Sequence, residues 1–477
     1  MGRDIMKHMP TDVKAPYDVI VVGSGPSGSV IANELTRAGV KCLMLEAGKY
    51  FPRDTLTHPE IDYYSQLYWS GGMELDSSCK NGIMRGKAVG GGTLAYQAIM
   101  CRFDEYVFSY WREKSGIRYF TVEEMEPWYK KAEQLLPIAL VDERYRSECC
   151  RIFVEGLAKL GYTARAELRA MDDCHWDKGN DCICCLGGCR IDGKGSMPHT
   201  VLKSALTQGL HLIPEFEVKQ VEVKPDGVIV NGEYRQDERM SFFGRKLVLA
   251  AAPLGNTKLL LKSGFKVKLP ALGDNFYIHT QWFNCGMYDR EINAHKGPFQ
   301  VYGTHDPKLR QKGIKFENTF PPPGGLAWLF PGMGRKHHEV MRKFRYLSCV
   351  ESSIRSFHPG TLRLDRHDNM MINSGLTDDE ERRTKEGQQI AYDVLYSFGA
   401  KWVVTARFSI CPHHFGGLSM GVDGGRSCVD PEFHLHGFRN VYSADSSVFP
   451  MSTGMNPVLT ILALSIKASQ QILKEMA

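Results

Sequence analysis

The apolar positions between residues 17 and 46 change period twice. Tyr17 to Val22 is a short β-branched apolar run, which predicts a strand buried in a parallel sheet. From about Ser27 to Ala38 the pattern is helical, and Gly39 supplies the C′ residue at which such a helix stops. Val40 to Leu45 reads as a second strand with Glu46 at its tip. Between the first strand and the helix stand Gly23, Gly25 and Gly28 in the spacing G-x-G-x-x-G. That order predicts a tight turn, a helix whose amino end faces a pyrophosphate, and an acid that accepts hydrogen bonds from a ribose and repels a 2′-phosphate. Gly23, Gly25, Ser27, Gly28 and Glu46 are therefore candidate cofactor-binding residues, and the cofactor contains adenosine and is not NADP. The pattern leaves FAD and NAD open.

Further along, residues 103–136 carry two polar-faced helical stretches, with Thr121 as a cap over Glu124, and suggest a cap or lid. Met197 to Gln208 predicts a helix, and His211 to Val223 a strand by period-two alternation. Lys246 to Gly264 predicts a second buried strand ending in small residues, then a helix from Asn256. From about 273 to 400 the segments become longer, alternating and aromatic-rich, with a break at Pro321 to Gly325. This predicts a sheet covering the cofactor, and Thr377 to Glu380 reads as a capping box opening a helix to about Phe398. At the carboxyl end Asn456 stands where an N-cap belongs, Pro457 suits the first helical position, and Val458 to Met476 carries an apolar stripe. Such a helix aims its positive end at whatever lies beside Asn456 and would stabilise negative charge there by about 0.3–2 kcal/mol.

Composition narrows the class without changing this picture. The 477 residues, 43% hydrophobic and 24% charged, suit two or more globular domains. A net charge of +5 with no Lys/Arg block argues against a nucleic-acid partner. No run is apolar enough for a membrane span, and the first sixteen residues lack a signal-peptide core, so the expectation is a cytoplasmic chain whose fourteen cysteines are mostly free thiols.

Gly86 to Tyr96, GKAVGGGTLAY, puts four glycines into seven positions and reads as backbone apposed to a flat ligand. Here the chain resembles the glucose-methanol-choline (GMC) flavin oxidoreductases, and VGGGTLAY is most similar to their bacterial cholesterol-oxidase-like branch. The resemblance extends to Lys246–Gly264, to Cys411–Gly421, to Ser443–Pro450 and to Asn456-Pro457. It implies an FAD-binding Rossmann-like α/β fold with a discontinuous substrate domain on an antiparallel sheet: 14–102, 190–272 and 405–477 for FAD, 103–189 and 273–404 for cap and substrate. It further implies that Gly86, Val89, Gly90, Gly91 and Thr93 lie along the flavin and pyrophosphate. In the same way Val218 lies beside the adenine, Asp445 faces the ribityl chain, and Asn456 and Pro457 close the flavin site. Neither Ala95 nor Tyr96 is histidine, so FAD is expected to be non-covalent.

Counting back from Met420-Gly421, the resemblance makes His413 the catalytic histidine, with His414 a neighbour. Imidazole suits the role of base to a substrate hydroxyl, with the hydride passing to flavin N5 and Asn456 holding the hydroxyl in line. The expected reaction is oxidation of a CH–OH group of an alcohol, sugar or amino-sugar-like molecule; sterol oxidation and a non-redox lyase are the alternatives. Five cysteines between Cys174 and Cys189 fit no standard ferredoxin spacing, yet Cys182, Cys185 and Cys189 resemble a family loop that holds an iron–sulfur cluster in some sugar dehydrogenases. Such a cluster would favour a dehydrogenase passing electrons to a carrier over an oxidase using O2.

Overall fold

A computed structural model describes residues 16–56, 59–172, 182–191, 193–298, 300–375 and 377–477, the side chains of 182–184 excepted. Tyr17–Val22 forms the predicted strand, and the side chains of Val19, Ile20 and Val21 are fully buried. It pairs in parallel with Cys42–Leu45 on one side and Glu238–Leu249 on the other. His211–Ile213 and Phe438–Ser443 extend this sheet in parallel on either side, His434–Leu435 adds an antiparallel edge beyond the latter, and a hairpin of Phe216–Lys224 and Gly227–Tyr234 joins Glu238–Leu249. Among the described residues the sheet has eight strands. The helices Pro26–Arg37 and Val458–Lys474 pack together and, with the sheet, bury one continuous apolar core. The helices Glu105–Ser115 and Val122–Glu133, expected to belong to a cap, place Phe108, Trp111 and Tyr129 in this same core. Thr121 caps the second of them as predicted, its hydroxyl accepting from the Glu124 N–H at 3.1 Å.

A second sheet, ten-stranded among the described residues, is centred on Tyr277–Met287, Leu347–Arg355 and Ile314–Thr319, which run antiparallel. Its register decides the site. His279 lies opposite Arg355; Gln281 opposite Ser353, which faces Lys315; Phe283 opposite Glu351, which faces Glu317. Since alternate residues share a face, these rows form one polar surface. The opposite face packs on Asp378–Tyr396, which opens with the predicted capping box at Thr377.

Several predicted boundaries move. The 211–223 strand divides at a turn before Phe216, the 197–208 helix begins as a 3-10 turn, and the break at 321–325 contains the start of a short helix, Pro323–Leu329. The helix expected from Asn256 begins at Ala252, because Pro253 is tolerated in a first turn. Asn456 is not an N-cap: Pro457 takes that place and the helix starts at Val458 with no side-chain cap, since the Asn456 amide is drawn to Lys315. No helix among the described residues is long and apolar enough to cross a membrane.

Candidate active site

The glycine turn is built as the spacing demanded. Gly23 has φ +102°, and a Cβ on Gly28 would stand 2.0 Å from the Gly23 carbonyl oxygen. In front of Gly25 nothing lies within 4 Å, and the helix it opens has neither a side-chain cap nor an acidic residue in its first turn. Its free N–H groups and open approach fit a pyrophosphate. Ser27 turns the other way, its hydroxyl accepting from Ser465 Oγ at 2.8 Å.

Glu46 is buried at the strand tip. Its Oε2 accepts from the Ser24 N–H at 2.9 Å and the Ser24 hydroxyl at 2.6 Å, and its Oε1 from the Gly48 N–H at 2.7 Å. Ser24 Oγ in turn accepts from the Gly90 N–H at 2.9 Å, tying the glycine loop to the first turn. Gly91 sits at φ +56°, and a Cβ there would lie 2.9 Å from the Gly25 Cα. Gly86 packs against the Gly91 carbonyl, Val89 N–H donates to Lys49 O, and Thr93 Oγ1 donates to Gly90 O at 2.6 Å. Val218 is half-buried beside a bulge in its strand.

Asp445 accepts from the Ala252 N–H, from Asn256 Nδ2 and from the Ser447 N–H, at 2.8, 2.9 and 2.8 Å. Burial raises its carboxyl above the usual range against those bonds. Asn256, read from sequence as a helix start, instead bridges two loops, its Oδ1 accepting from the Ala251 N–H. The uncapped first turn of Val458–Lys474 is a second source of free N–H groups. Two helix ends with free N–H groups and a buried acid suit the chemistry of a flavin dinucleotide.

His413 lies on a short link between Ser409–Cys411 and His414–Phe415, both paired to Tyr277–Met287. Its carbonyl accepts the His279 N–H, which brings the two rings together at 3.2 Å between Nδ1 atoms. Burial, then the Lys315 and His414 charges, push His413 down to about 3; burial likewise takes His279 well below the ordinary imidazole value. Both are neutral. The Gly454 N–H donates to His279 Nε2 at 2.8 Å, so the His279 proton is on Nδ1 and points at His413 Nδ1. His414 is buried behind, with burial and Arg85 lowering it to about 4 and its Nδ1 unpaired.

Asn456 faces the same cleft. Its Oδ1 accepts from Lys315 Nζ at 2.6 Å, and Lys315 also donates to Glu317 Oε1 at 2.6 Å and lies 3.4 Å from Glu167. Burial opposes the ammonium, but Glu317 and Glu167 outweigh it and the pKa of Lys315 is raised; burial opposes the Glu167 carboxylate, and Lys315 leaves it at about 2. Burial and the Glu317 charge raise Glu351 well above the usual carboxylate range. Sequence reading missed this cluster. The available signal was Lys315 and Glu317 at alternate, same-face positions of a strand with six buried residues. The side chains of Gln281 and Ser353 line the cleft and make no hydrogen bond to a described residue.

The described residues of the cysteine loop do not support a cluster: Cys185 and Cys189 are buried and belong to no group of three described His, Cys or carboxylate ligands that could hold a metal ion, and the Cys182 side chain and residues 173–181 lie outside the described residues. Lys194 instead ties this loop to the glycine loop through Cys185 O and Leu94 O.

The family models named GMC oxidoreductase match residues 17–281 at the amino end and 360–465 at the carboxyl end. The chain belongs to the GMC oxidoreductase family. GMC oxidoreductases bind FAD, and the cradle described above fits that cofactor. The chain is 24% identical to an uncharacterized GMC-type oxidoreductase of Mycobacterium tuberculosis over 95% of its own length and 75% of that protein's. It is 23% identical to a cholesterol oxidase of the same species, over 96% and 91%, and 24% identical to the Arabidopsis thaliana long-chain-alcohol oxidase FAO4B, over 95% and 67%. Among solved structures, pyridoxine 4-oxidase from Mesorbium loti superposes with a TM-score of 0.77 at 17% identity, covering 96% of this chain and 99% of that one. A variant of formate oxidase from Aspergillus oryzae RIB40 gives 0.74 at 16%, over 98% and 99%. These place the fold among GMC oxidoreductases.

Proposed function

We propose that this GMC oxidoreductase converts a CH–OH group of a small polar alcohol, sugar-like or amino-sugar-like, to the carbonyl, using non-covalent FAD. The observation that carries this reading is the cleft lining. Apart from Gly454 and Met455, the side chains lining the cleft are polar, and Gln281 and Ser353 hold donors and acceptors, unpaired among the described residues, that an apolar substrate would leave unsatisfied. Cholesterol and long-chain alcohols, named for two relatives, would bury such groups at a cost of about 1–3 kcal/mol each. His413 and Asn456 flank the reacting hydroxyl, and bound FAD supplies the hydride acceptor. The hydroxyl proton, assigned to His413 as base from the sequence alone, needs an acceptor compatible with the neighbouring His279 ring.

The test is anaerobic bleaching of the bound flavin by a panel of sugars, amino sugars, cholesterol and long-chain alcohols. A sugar-class substrate is expected to lead by at least ~10-fold in kcat/KM, about the discrimination that one mismatched polar contact supplies. Preference for the sterol or the fatty alcohol, or an unbleached holoenzyme with every alcohol, overturns the reading. Bleaching itself separates it from a lyase, and hydrogen peroxide yield identifies the electron acceptor. His413→Ala and Asn456→Ala should keep their flavin and reduce it ~10²- to 10³-fold more slowly, as for loss of one preorganised donor.

A pH profile gives a second check. With His413 at about 3 its charge does not change between pH 5 and 8, so flavin reduction should show no inflection near 6.5. An inflection there that disappears in His413→Gln would contradict the buried neutral imidazole.

A further inference from the structure

We propose that the helical hairpin 323–345 is a docking surface for an anionic lipid bilayer, with Met333 entering the headgroup layer and the exposed cations around Gly334–Met341 pairing with lipid phosphates and carboxylates. The proposal does not depend on which alcohol is oxidised. Pro323–Leu329 leads through residues 330–333 into the helix Gly334–Met341. Positions 337, 340, 341 and 344 share one face of this segment and turn towards the protein. His337 Nε2 donates to Ala327 O at 2.8 Å, and Val340, Met341 and Phe344 pack on the core of the substrate sheet. The other face is left to solvent. It carries Arg335, Lys336, His338, Arg342 and Lys343 against one acid, Glu339. The Arg and Lys side chains of that face make no ion pair or hydrogen bond among the described residues, whereas Arg345 beyond them lies 3.4 Å from Glu291.

Charge alone suits any polyanion; the apolar tip beside it selects a bilayer. Met333 is 83% exposed between Gly332 and Gly334, whose φ values of +108° and +64° turn the chain sharply on either side of it. Trp328, 51% exposed in the last turn of Pro323–Leu329, stands at the same end of the hairpin. Both are braced from behind. The Trp328 ring meets Phe408 edge-on at 4.9 Å, the Arg407 N–H donates to Leu329 O at 3.0 Å, and the Arg407 guanidinium donates to Gly332 O. A fixed surface thus shows water two large apolar side chains next to unpaired cations, which is the marking of an interaction site. An acidic protein or a nucleic acid would match the cations and leave Met333 in water. An anionic leaflet matches both, because its surface potential attracts Lys and Arg while tryptophan and other apolar side chains settle at the headgroup level. No helix among the described residues crosses a membrane, so the contact is with one surface. Leu329 shares a small apolar cluster with Phe283, the next residue after Gln281 on the same strand face, so the docking element belongs to the substrate sheet.

The experiment is cosedimentation of the holoenzyme with vesicles of phosphatidylcholine and phosphatidylserine in equal parts, beside vesicles of phosphatidylcholine alone. Binding to the mixed vesicles is expected, with none to the neutral ones and a steady loss as salt rises. The double variant Lys336→Glu, Arg342→Glu should lose at least ~10²-fold of the vesicle affinity, at about fivefold per unit of charge. Met333→Ser should lose ~5- to 10-fold. Arg239→Glu with Arg245→Glu makes the same change of net charge at exposed positions of the dinucleotide-binding sheet and should bind as the parent does. Every variant should keep its flavin, since none of these residues lines the cleft or the cofactor cradle. No sedimentation with the mixed vesicles, equal sedimentation with the neutral ones, or equal losses in the two charge reversals overturns the proposal. Retention on heparin without vesicle binding assigns the face to a polyanionic macromolecule and overturns the lipid assignment. Unchanged affinity in Met333→Ser overturns the role of the apolar tip and with it the choice of a bilayer.

Discussion

Gly28→Ala is expected to yield protein that purifies with little FAD, its affinity for added FAD lowered ~10- to 100-fold. The added Cβ would stand 2.0 Å from the Gly23 carbonyl oxygen and 3.2 Å from the Ala250 Cβ, and the first of these is backbone that cannot rotate away. Relief requires the helix Pro26–Arg37 to move off the strand or the turn to open, a distortion of about 1–3 kcal/mol, and either shift displaces the N–H groups that meet the pyrophosphate. Gly25→Ala makes the useful comparison, because nothing stands within 4 Å of a Cβ there and its effect must come from the ligand side. Flavin absorbance per protein and fluorescence titration of the apoprotein measure both. Full flavin content in Gly28→Ala would mean that the turn relaxes without cost.

Lys315→Met should be the most damaging single change in the substrate sheet, destabilising by about 3–5 kcal/mol, as expected when one partner of a buried ion pair is removed. Glu317 and Glu167 would keep their burial, with side chains 2% and 3% exposed, and lose the ammonium that pairs with both. Against a total stability of about 5–15 kcal/mol that is a large share. Denaturant unfolding of Lys315→Met beside the triple variant Lys315→Met, Glu167→Gln, Glu317→Gln separates two effects. The triple variant should recover much of the stability and none of the rate, because Asn456 still lacks the donor that orients its amide. A loss under 1 kcal/mol in the single variant would show that the charges find solvent.

Much of this was legible in the chain because local chemistry and global fold agree there. The first strand ends where its apolar run ends, the capping box at Thr377 forms, and Gly39 closes its helix at φ +81°. The glycine loop folds against the first turn, as a run of residues without side chains suggested. What escaped depends on contacts far apart in sequence. Lys315, Glu167 and Asn456 come from separate segments, and nothing near any of them announces the others. His279 joins His413 through cross-strand pairing across 134 positions. Asn456 looked like a cap because Asn before Pro usually is one; a buried ammonium at 2.6 Å outcompetes a helix terminus for its oxygen. Spacing alone does not settle the cysteine loop, since ligation depends on which thiols converge, and most of that loop lies outside the described residues.

The bonds from Gly90 to Ser24 and from Ser24 to Glu46 are made entirely within the polypeptide. They join the strand tip, the first turn and the glycine loop without using any group of the dinucleotide. The receptor is therefore expected to persist in the apoprotein and to be charged by FAD added later. Reconstitution of the apoprotein should therefore proceed as a simple second-order encounter, its rate rising in proportion to FAD concentration without a refolding plateau.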